Sequence, residues 1–448
     1  MKKVFFLISF LLNAYVNCIE NNVDLSIVGF IDSADGIGRI PITIIDCLKN
    51  KLNINFVSTR CINPHTLETS NEIKKIINKK NEIAGNVALF SDILNFPDAD
   101  HYKAIPANSI IKIAYSMIEG TTFPNEWVEI LNSKFDAVVV PDSWLIDIYR
   151  NSGVNIPIFC LPIILYLEDF LKLPPKKRAN NPFIFGNTNA FVLRKNHIKL
   201  IQAFAKAFKN RPDVELYLSG RVSRQDSLQL VQDKIKELNL KNVILKLQIL
   251  SQKEYVNLMS SFDCFVSLST GEGFAVPPRE ALASGLPLII TNNTVHKTIC
   301  KNDFVKCIPA NIIIPGTYFG FPDNEKGYAF DCDIDDATNA LNEIYKNYQL
   351  HLNKAQKGRE WTKQYLKENL KEKYLNLIKP IRIFLGPDNI VTDDYLMTNS
   401  ISLYQKYLKL IYKNYIDHVN NNYVKNNNYC NYYNYLFLNH YLNFNFKI

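Results

Sequence analysis

The sequence predicts an α/β protein with two domains, each a parallel β-sheet covered by helices. Short apolar runs alternate with segments of helical periodicity along most of the chain, and this alternation begins again after a proline-rich, basic segment at 173–178. Parallel strands are joined by crossover helices that cover both sheet faces, so continuous apolar runs are typical of them. The length of 448 residues also exceeds what a single hydrophobic core usually organises.

In the first half, an apolar run at 23–30 is followed by a glycine turn and an apolar-periodic helix at 40–48. Residues 71–83 predict a basic amphipathic helix. Further strands are predicted at 54–58, 87–90, 110–115 and 137–140. We expect these elements to form an N-terminal domain that spans residues 21–172.

The second half repeats the alternation of strands and helices, and we expect it to form a domain over residues 179–385. Strands are predicted at 183–185, 215–218, 243–247, 264–268 and 288–290. Helices are predicted at 197–209, 225–238, 252–260, 278–284, 336–348 and 352–378. We expect the final helix to cross back onto the first domain.

The two ends of the chain differ from the body. Residues 1–20 combine two lysines with a short apolar stretch and predict a signal-like or anchor segment, with a first β-strand as the alternative. The location therefore stays open between the cytoplasm, the cytoplasmic face of a membrane, and export. Residues 386–448 are an extension rich in tyrosine and asparagine, in which a helix is predicted to pack on the main body, with a basic amphipathic helix as the alternative.

Composition excludes several classes of protein. Hydrophobic residues make up 47% and charged residues 21%, which excludes global disorder. The net charge of +8 is scattered along the chain, so no nucleic acid partner is expected. The nine cysteines form no CxxC pair and have no histidine at metal-ligand spacing, so no metal site is predicted. Cys264 lies in an apolar run and is expected to be a reduced, buried residue.

The most informative segment is 269–290, STGEGFAVPPREALASGLPLII. It ends a predicted strand, turns through glycines and opens a helix. Such a turn directs unpaired backbone N–H groups and the positive end of a helix dipole at an anion, which suits a pyrophosphate. Glu272 lies in the loop and Glu280 lies one to two turns into the helix. Their carboxylates can therefore face one crevice at different depths and bind two groups of hydroxyls.

This segment resembles the signature of glycosyltransferase family 4, in which seven residues separate two glutamates. The resemblance implies that Glu272 contacts the donor sugar and that Glu280 binds the ribose hydroxyls of the nucleotide. It also implies that the backbone amides of Gly273, Phe274 and Ala275 hold sugar hydroxyls and phosphate. Ala275 stands where the family usually has glycine, and its methyl group could crowd the donor.

Three further motifs resemble parts of the same family. Arg194 and Lys195 resemble the pair that clamps the donor pyrophosphate, where two cations stabilise the leaving nucleoside diphosphate without a metal. Gly38 belongs to a loop similar to the family's first glycine loop, which approaches the donor phosphate from the opposite domain. Glu119 would project from a strand end into the cleft on the acceptor side, where many relatives have a histidine.

The resemblance implies the GT-B architecture, in which two Rossmann-like βαβ domains face an interdomain cleft. It also implies a retaining, hexosyltransferase-type enzyme that moves a sugar from a nucleotide sugar to a glycan or lipid-linked hydroxyl acceptor, with no cofactor and no metal. Two alternatives stay open: a phosphorylase or epimerase on the same architecture, and a catalytically silent sugar-binding or scaffold protein. A peripheral membrane contact through the basic helix at 71–83 also stays open.

Overall fold

The computed structural model describes residues 23–378 apart from 34, 63–67, 80–83, 96–98, 222–223 and 317–326. Strands alternate with helices along this range, and the strands form two six-stranded parallel sheets. This arrangement confirms the predicted α/β class and two-domain GT-B architecture. The predicted signal-like segment 1–20 and the extension 386–448 lie outside the described residues. The domain limits at 172 and 179 stay predictions.

The first sheet has the strand order β2-β1-β3-β4-β5-β6. Its strands are β1 Leu25–Gly29, β2 Ile54–Ser58, β3 Val87–Ser91, β4 Ile111–Tyr115, β5 Ala137–Val140 and β6 Ile158–Cys160. Its helices are α1 Arg39–Leu48, α2 Asn71–Asn78, α3 Asn125–Lys134, α4 Trp144–Asn151 and α5 Glu168–Lys172. Strands β1, β3 and β5 are buried along their whole length, as expected for parallel strands covered on both faces.

The second sheet has the order β12-β11-β10-β7-β8-β9. Its strands are β7 Phe183–Asn187, β8 Val214–Gly220, β9 Val243–Leu247, β10 Cys264–Ser267, β11 Leu288–Asn292 and β12 Lys306–Pro309. Its helices are α6 His197–Phe208, α7 Gln225–Glu237, α8 Gln252–Ser261, α9 Val276–Ala283, α10 His296–Cys300, α11 Ile334–Lys346 and α12 Tyr348–Thr362. Cys264 is buried and unpaired, which confirms that prediction.

A short antiparallel hairpin follows β12 and was not predicted. It pairs β13 Ile312–Pro315 with β14 Tyr328–Asp331. The N–H of Thr121 in the first half donates to the Tyr328 carbonyl at 3.1 Å. The hairpin is part of the second half of the chain, and this hydrogen bond joins it to the first half.

The predicted single helix at 352–378 is wrong, because α12 ends at Thr362 and α13 Lys367–Ile378 follows it after one short 3-10 turn. The carbonyl of Tyr365 in that turn accepts a hydrogen bond from the Leu165 N–H of the first half at 2.9 Å. The next residue, Leu366, has an extended backbone with φ −67° and ψ 149°, and the helix is interrupted there. Helix α13 then packs on α1, and the Tyr374 hydroxyl donates to the Pro162 carbonyl at 2.9 Å, which confirms the predicted crossing.

Other boundaries differ by a few residues. The basic helix predicted at 71–83 ends at Asn78, and residues 80–83 lie outside the described part. The helix predicted at 336–348 begins two residues earlier, because the Asp333 side chain caps it by accepting from the Asp335 N–H at 2.6 Å. No helix among the described residues is long and apolar enough to cross a membrane.

Candidate functional site

The candidate site is a cavity of about 360 Å³ between the two sheets. In the second sheet, β7 and β10 lie side by side although β8 and β9 come between them in the chain. This reversal of strand order leaves a crevice at the carboxyl ends of β7 and β10, where open α/β sheets bind ligands. The loop after β7 carries Arg194 and Lys195, and the loop after β10 carries Glu272. The topology therefore explains why these three residues meet.

Glu272 lies at the centre of a buried ion cluster. Its Oε2 is 3.1 Å from Arg194 Nη1, and its Oε1 bonds to Lys195 Nζ. The Glu272 N–H donates to Thr294 Oγ1 at 3.0 Å, which fixes the backbone of the loop. Arg194 Nη1 also donates to the Gly271 carbonyl at 3.1 Å. The predicted pair of cations and the first glutamate thus form one unit.

The charges of this cluster support one another. Burial raises the pKa of Glu272, but the charges of Lys195 and Arg194 outweigh it and hold that pKa well below its usual range. Burial and the neighbouring Arg194 lower the pKa of Lys195, and Glu272 opposes them. Burial disfavours the charged form of Arg194, but the carboxylates of Glu119 and Glu272 leave its pKa raised. An anionic carboxylate with two cations is the consistent charge state.

Glu119 brings the first half of the chain to this cluster. Its Oε1 lies 2.9 Å from Arg194 Nη2, so one guanidinium bridges carboxylates from both halves. The two loops are also in close backbone contact, because a Cβ atom on Gly271 would lie 1.9 Å from the Glu119 carbonyl oxygen. Only glycine fits at position 271 in this arrangement.

Glu280 lines the same cavity and has partners of its own. Its Oε1 is 2.9 Å from Arg39 Nη1 of the first half, and its Oε2 accepts from the Tyr255 hydroxyl at 2.9 Å. The Thr188 hydroxyl lies 3.0 Å from that of Tyr255. Burial and the charge of Glu280 raise the pKa of Tyr255 well above its usual value, so the phenol stays a donor. Both carboxylate oxygens are thereby held in place by residues that also line the cavity.

The segment 273–276 joins the two glutamates and lines the cavity. Gly273 contacts the first half, since a Cβ there would lie 2.8 Å from Met117 Cγ. Ala275 has φ +60° and ψ +64°, the left-handed conformation that favours glycine. Its φ explains why the family usually has glycine at this position.

Gly38 lies next to the cavity and does not line it. Its N–H donates to Asp35 Oδ1 at 3.2 Å, and a Cβ there would lie 2.7 Å from the Asp32 nitrogen. The lining residues of this loop include Asp35, Ile37 and Arg39. The structure therefore places Gly38 as the residue that allows the tight loop, and its contact with donor phosphate stays a prediction.

Several site residues were not singled out from the sequence. Arg39 belongs to the glycine loop that the sequence identified, so proximity in sequence was a usable signal for it. Tyr255 and Thr188 belong to a helix and a loop without any recognisable motif, and only the fold brings them to Glu280. Arg221, which pairs with Asp35 across the cleft, is likewise visible only in the structure.

The cavity offers carboxylates for hydroxyl groups and fixed cations for an anionic leaving group. Among the described residues, no group of three or more histidine, cysteine, aspartate or glutamate side chains is placed to hold a metal ion. Arg194 and Lys195 are cations that line the cavity, and their role in stabilising developing negative charge stays a prediction.

Comparisons with known proteins agree with this geometry. Residues 170–361 match the family described as Glycosyl transferases group 1. A search among curated protein sequences finds no match.

Solved structures with the same fold include three proteins of low sequence identity. Sucrose-phosphate synthase from Thermosynechococcus elongatus is 13% identical, with a TM-score of 0.59, and the match covers 80% of this chain and 99% of that one. HepE from Anabaena, solved with UDP and glucose, is 12% identical, with a TM-score of 0.58 and coverage of 80% and 100%. A glycosyltransferase from Rickettsia africae is 16% identical, with a TM-score of 0.57 and coverage of 82% and 100%.

The structural matches establish the fold. The family match covers the two loops that carry Arg194, Lys195 and Glu272, and it covers helix α9, which carries Glu280. No finding supports the export signal that the sequence suggested. Residues 170–361 therefore resemble the glycosyl transferases group 1, and the chain has a two-domain GT-B fold.

Proposed function

We propose that this protein is a retaining glycosyltransferase that moves a sugar from a nucleoside diphosphate donor to a hydroxyl group of an acceptor. The observation that carries the proposal is the pairing of Glu272 with Arg194 and Lys195 in a cavity that Glu280 also lines. The cations suit a diphosphate, and the two carboxylates suit the hydroxyls of a sugar and of a ribose. HepE, which shares the fold, has been solved with UDP and glucose.

In this proposal Glu280 accepts from the ribose hydroxyls, while Arg39 and Tyr255 keep its carboxylate oriented. Glu272 accepts from hydroxyls of the donor sugar, which we take to be a hexose. The backbone N–H groups of the turn at 273–275 bind sugar hydroxyls and phosphate. Glu119 lies on the acceptor side, within reach of Arg194.

Bond cleavage leaves negative charge on the nucleoside diphosphate, and Arg194 with Lys195 stabilises that charge in place of a metal ion. The acceptor hydroxyl attacks from the face that the diphosphate leaves, so the anomeric configuration is retained. The leaving phosphate takes the acceptor proton, which requires no separate protein base. Closure of the cleft excludes water and limits hydrolysis of the donor.

The acceptor is proposed to be a glycan or a lipid-linked intermediate, with peripheral membrane contact in the second case. Phosphorylase or epimerase chemistry and a silent sugar-binding role are the competing functions. The paired glutamates and the intact cations favour transfer over both.

The proposal is tested by incubating the full chain with a panel of nucleotide sugars and simple glycosides, with and without EDTA. We expect one donor to be consumed, an α-linked donor to give an α-linked product by NMR, and EDTA to leave the rate unchanged. Inversion of the anomeric configuration contradicts the mechanism, and loss of the rate in EDTA contradicts its metal independence. Consumption of no donor contradicts the function.

A further inference from the structure

Among the described residues, Arg279 has the largest side chain that is completely buried. It directly precedes Glu280 on α9, and 0% of its side chain is exposed. Arginine is almost never fully buried unless its charge and its donors are matched by partners. The partners of this guanidinium therefore indicate what it does.

The guanidinium lies between aromatic rings and the backbone of the donor loop. Its central carbon is 4.0 Å from the ring centroid of Phe274, 4.9 Å from that of Tyr365 and 5.9 Å from that of Trp361. Its Nη1 donates to the Phe274 carbonyl and, at 3.3 Å, to the Ala275 carbonyl. Ring faces compensate part of the lost hydration of the cation, and the two carbonyls accept the hydrogen bonds of Nη1, whereas Nε and Nη2 have no hydrogen-bond partner among the described residues.

These two bonds determine where the neighbouring N–H groups point. In a planar trans peptide the C=O and the N–H project in opposite directions. Since the carbonyls of Phe274 and Ala275 face the buried guanidinium, the N–H groups of Ala275 and Val276 face the opposite side. Phe274, Ala275 and Val276 all line the cavity, and Arg279 does not.

The same bonds stabilise a backbone conformation that alanine disfavours. Ala275 has φ +60° and ψ +64°. A non-glycine residue in this region is strained, because its Cβ atom lies too close to the following carbonyl oxygen. The bonds from Nη1 to the carbonyls on either side of the Ala275 Cα hold this conformation in place.

Arg279 also connects the turn to the first half of the chain. Its Nη2 lies 3.7 Å from Oδ2 of Asp142, which follows β5 and is 4% exposed. The other oxygen of Asp142 accepts from Thr298 Oγ1 of α10 at 2.8 Å. One buried carboxylate of the first half is thus joined to two elements of the second half.

We propose that Arg279 is a positioning residue of the donor site. It holds the turn at 273–276 in the left-handed conformation that directs the Ala275 and Val276 N–H groups at the donor diphosphate, and its charge is anchored by Asp142. This proposal rests on the proposed function, because it assigns the anion to the donor.

Four variants of the full chain test the proposal by calorimetric titration with UDP, GDP and ADP: R279M, R279K, A275G and the double variant R279M/A275G. We expect R279M to lower the affinity for the nucleoside diphosphate that wild type binds by tenfold or more. R279K should lower it less, because an ammonium group keeps the charge but lacks the planar fork. The double variant should regain most of the loss, because glycine adopts the left-handed conformation without help.

Wild-type affinity in R279M overturns the proposal. A second outcome also overturns it: R279M loses affinity, the double variant does not regain it, and the unfolding temperature of R279M falls in parallel. Arg279 would then act only on stability. Arg211→Met removes an arginine of the same half that pairs with Asp213 and does not line the cavity, so it should leave the nucleotide affinity unchanged.

Backbone chemical shifts of the ligand-free protein separate this proposal from the proposed function, because the Cα and Cβ shifts of residue 275 report its φ and ψ. We expect left-handed shifts in wild type and a change toward another backbone conformation in R279M, and unchanged shifts contradict the positioning role. If wild type binds none of the three nucleotides, the proposed function fails. The chemical shifts then still decide whether Arg279 holds the turn.

Discussion

At the residue scale, the candidate site consists of charges that neutralise one another before any ligand binds. Arg194 contacts Glu119 and Glu272, and Arg39 contacts Glu280. A diphosphate would compete with Glu119 for Arg194, because both are anionic acceptors for the same guanidinium. The cations are therefore oriented in advance and need little reorganisation when charge develops on the leaving group.

Replacing Arg194 by methionine tests its role in charge stabilisation. We expect kcat to fall roughly 10²–10³-fold, as when one group that stabilises transition-state charge is removed elsewhere. The unfolding temperature should change little, because Glu272 keeps its bond to Lys195. Steady-state rates and thermal unfolding measure both effects. An unchanged kcat, or an equal loss in the surface control Arg211→Met, would contradict the assignment.

Buried histidines predict a pH dependence of stability. Burial lowers the pKa of His296 from 6.5 to about 4, although Glu272 opposes it. The unfolded chain takes up a proton below pH 6.5 and the folded chain does not, so stability is full above pH 6.5 and falls as the pH drops toward 4. By pH 5 the loss is on the order of 2 kcal/mol for this histidine.

The variant His296→Asn should lose about that part of the pH dependence. Asparagine can donate to the Thr291 carbonyl, as the ring Nδ1 does at 3.1 Å, and it has no titrating group. Burial also lowers the pKa of His197, to about 3, so a second share of the pH dependence should persist in the variant. Urea unfolding at pH 7 and pH 5 gives the comparison. Identical pH dependence in both proteins would show that His296 has no part in it.

At the scale of the elements, the loop from β10 to α9 determines both the chemistry and the contact between the halves. Gly271 lies against Glu119, and Gly273 lies against Met117. The same loop carries Glu272 and leads to Glu280. Small changes in this loop should therefore alter both ligand binding and the contact between the two halves of the chain.

A methyl group at position 271 tests this contact. In Gly271→Ala the new Cβ would lie 1.9 Å from the Glu119 carbonyl oxygen, so the loops must separate. We expect a loss of roughly 1–3 kcal/mol in unfolding free energy, the usual range for overpacking. Gly36→Ala is the matched control, because no heavy atom lies within 4 Å of a Cβ there. Equal stabilities of the two variants by chemical unfolding would contradict the close contact.

Sequence reasoning was accurate for elements that carry a periodic pattern and a motif. Strands β2, β5 and β9 have the predicted bounds, and Glu272 and Glu280 face one cavity because a strand, a loop and a helix carry them. It was inaccurate where tertiary contacts decide. The break between α12 and α13 coincides with the bond from the Leu165 N–H to the Tyr365 carbonyl, which no local pattern encodes.

At the scale of the whole molecule, elements of the second half of the chain pack directly on the first half. Helix α13 packs on α1 of the first half, and Asp142 of the first half contacts Arg279 and Thr298 of the second. The sequence predicted the crossing of the last helix, but the charged contacts across the cleft require the fold. Ligand binding at the cleft should therefore depend on the contacts that join the two halves.

Tyr374 tests the contribution of α13 to the first half. Its side chain is completely buried, and its hydroxyl donates to the Pro162 carbonyl at 2.9 Å. We expect Tyr374→Ala to lower the unfolding free energy by roughly 3–5 kcal/mol. Tyr374→Phe, which removes only the hydrogen bond, should lower it by about 1 kcal/mol. Chemical unfolding gives both values, and a neutral effect of the alanine variant would rule out a structural role for this contact.

The central claim is that Glu280 and its partners bind the nucleotide of a sugar donor. The most direct measurement is calorimetric titration of wild type and Glu280→Ala with a panel of nucleoside diphosphates and their sugars. The account predicts that wild type binds one nucleotide selectively and that the variant loses this binding, because the carboxylate oriented by Arg39 and Tyr255 is gone. Binding of no nucleotide by wild type, or equal binding by the variant, would contradict it.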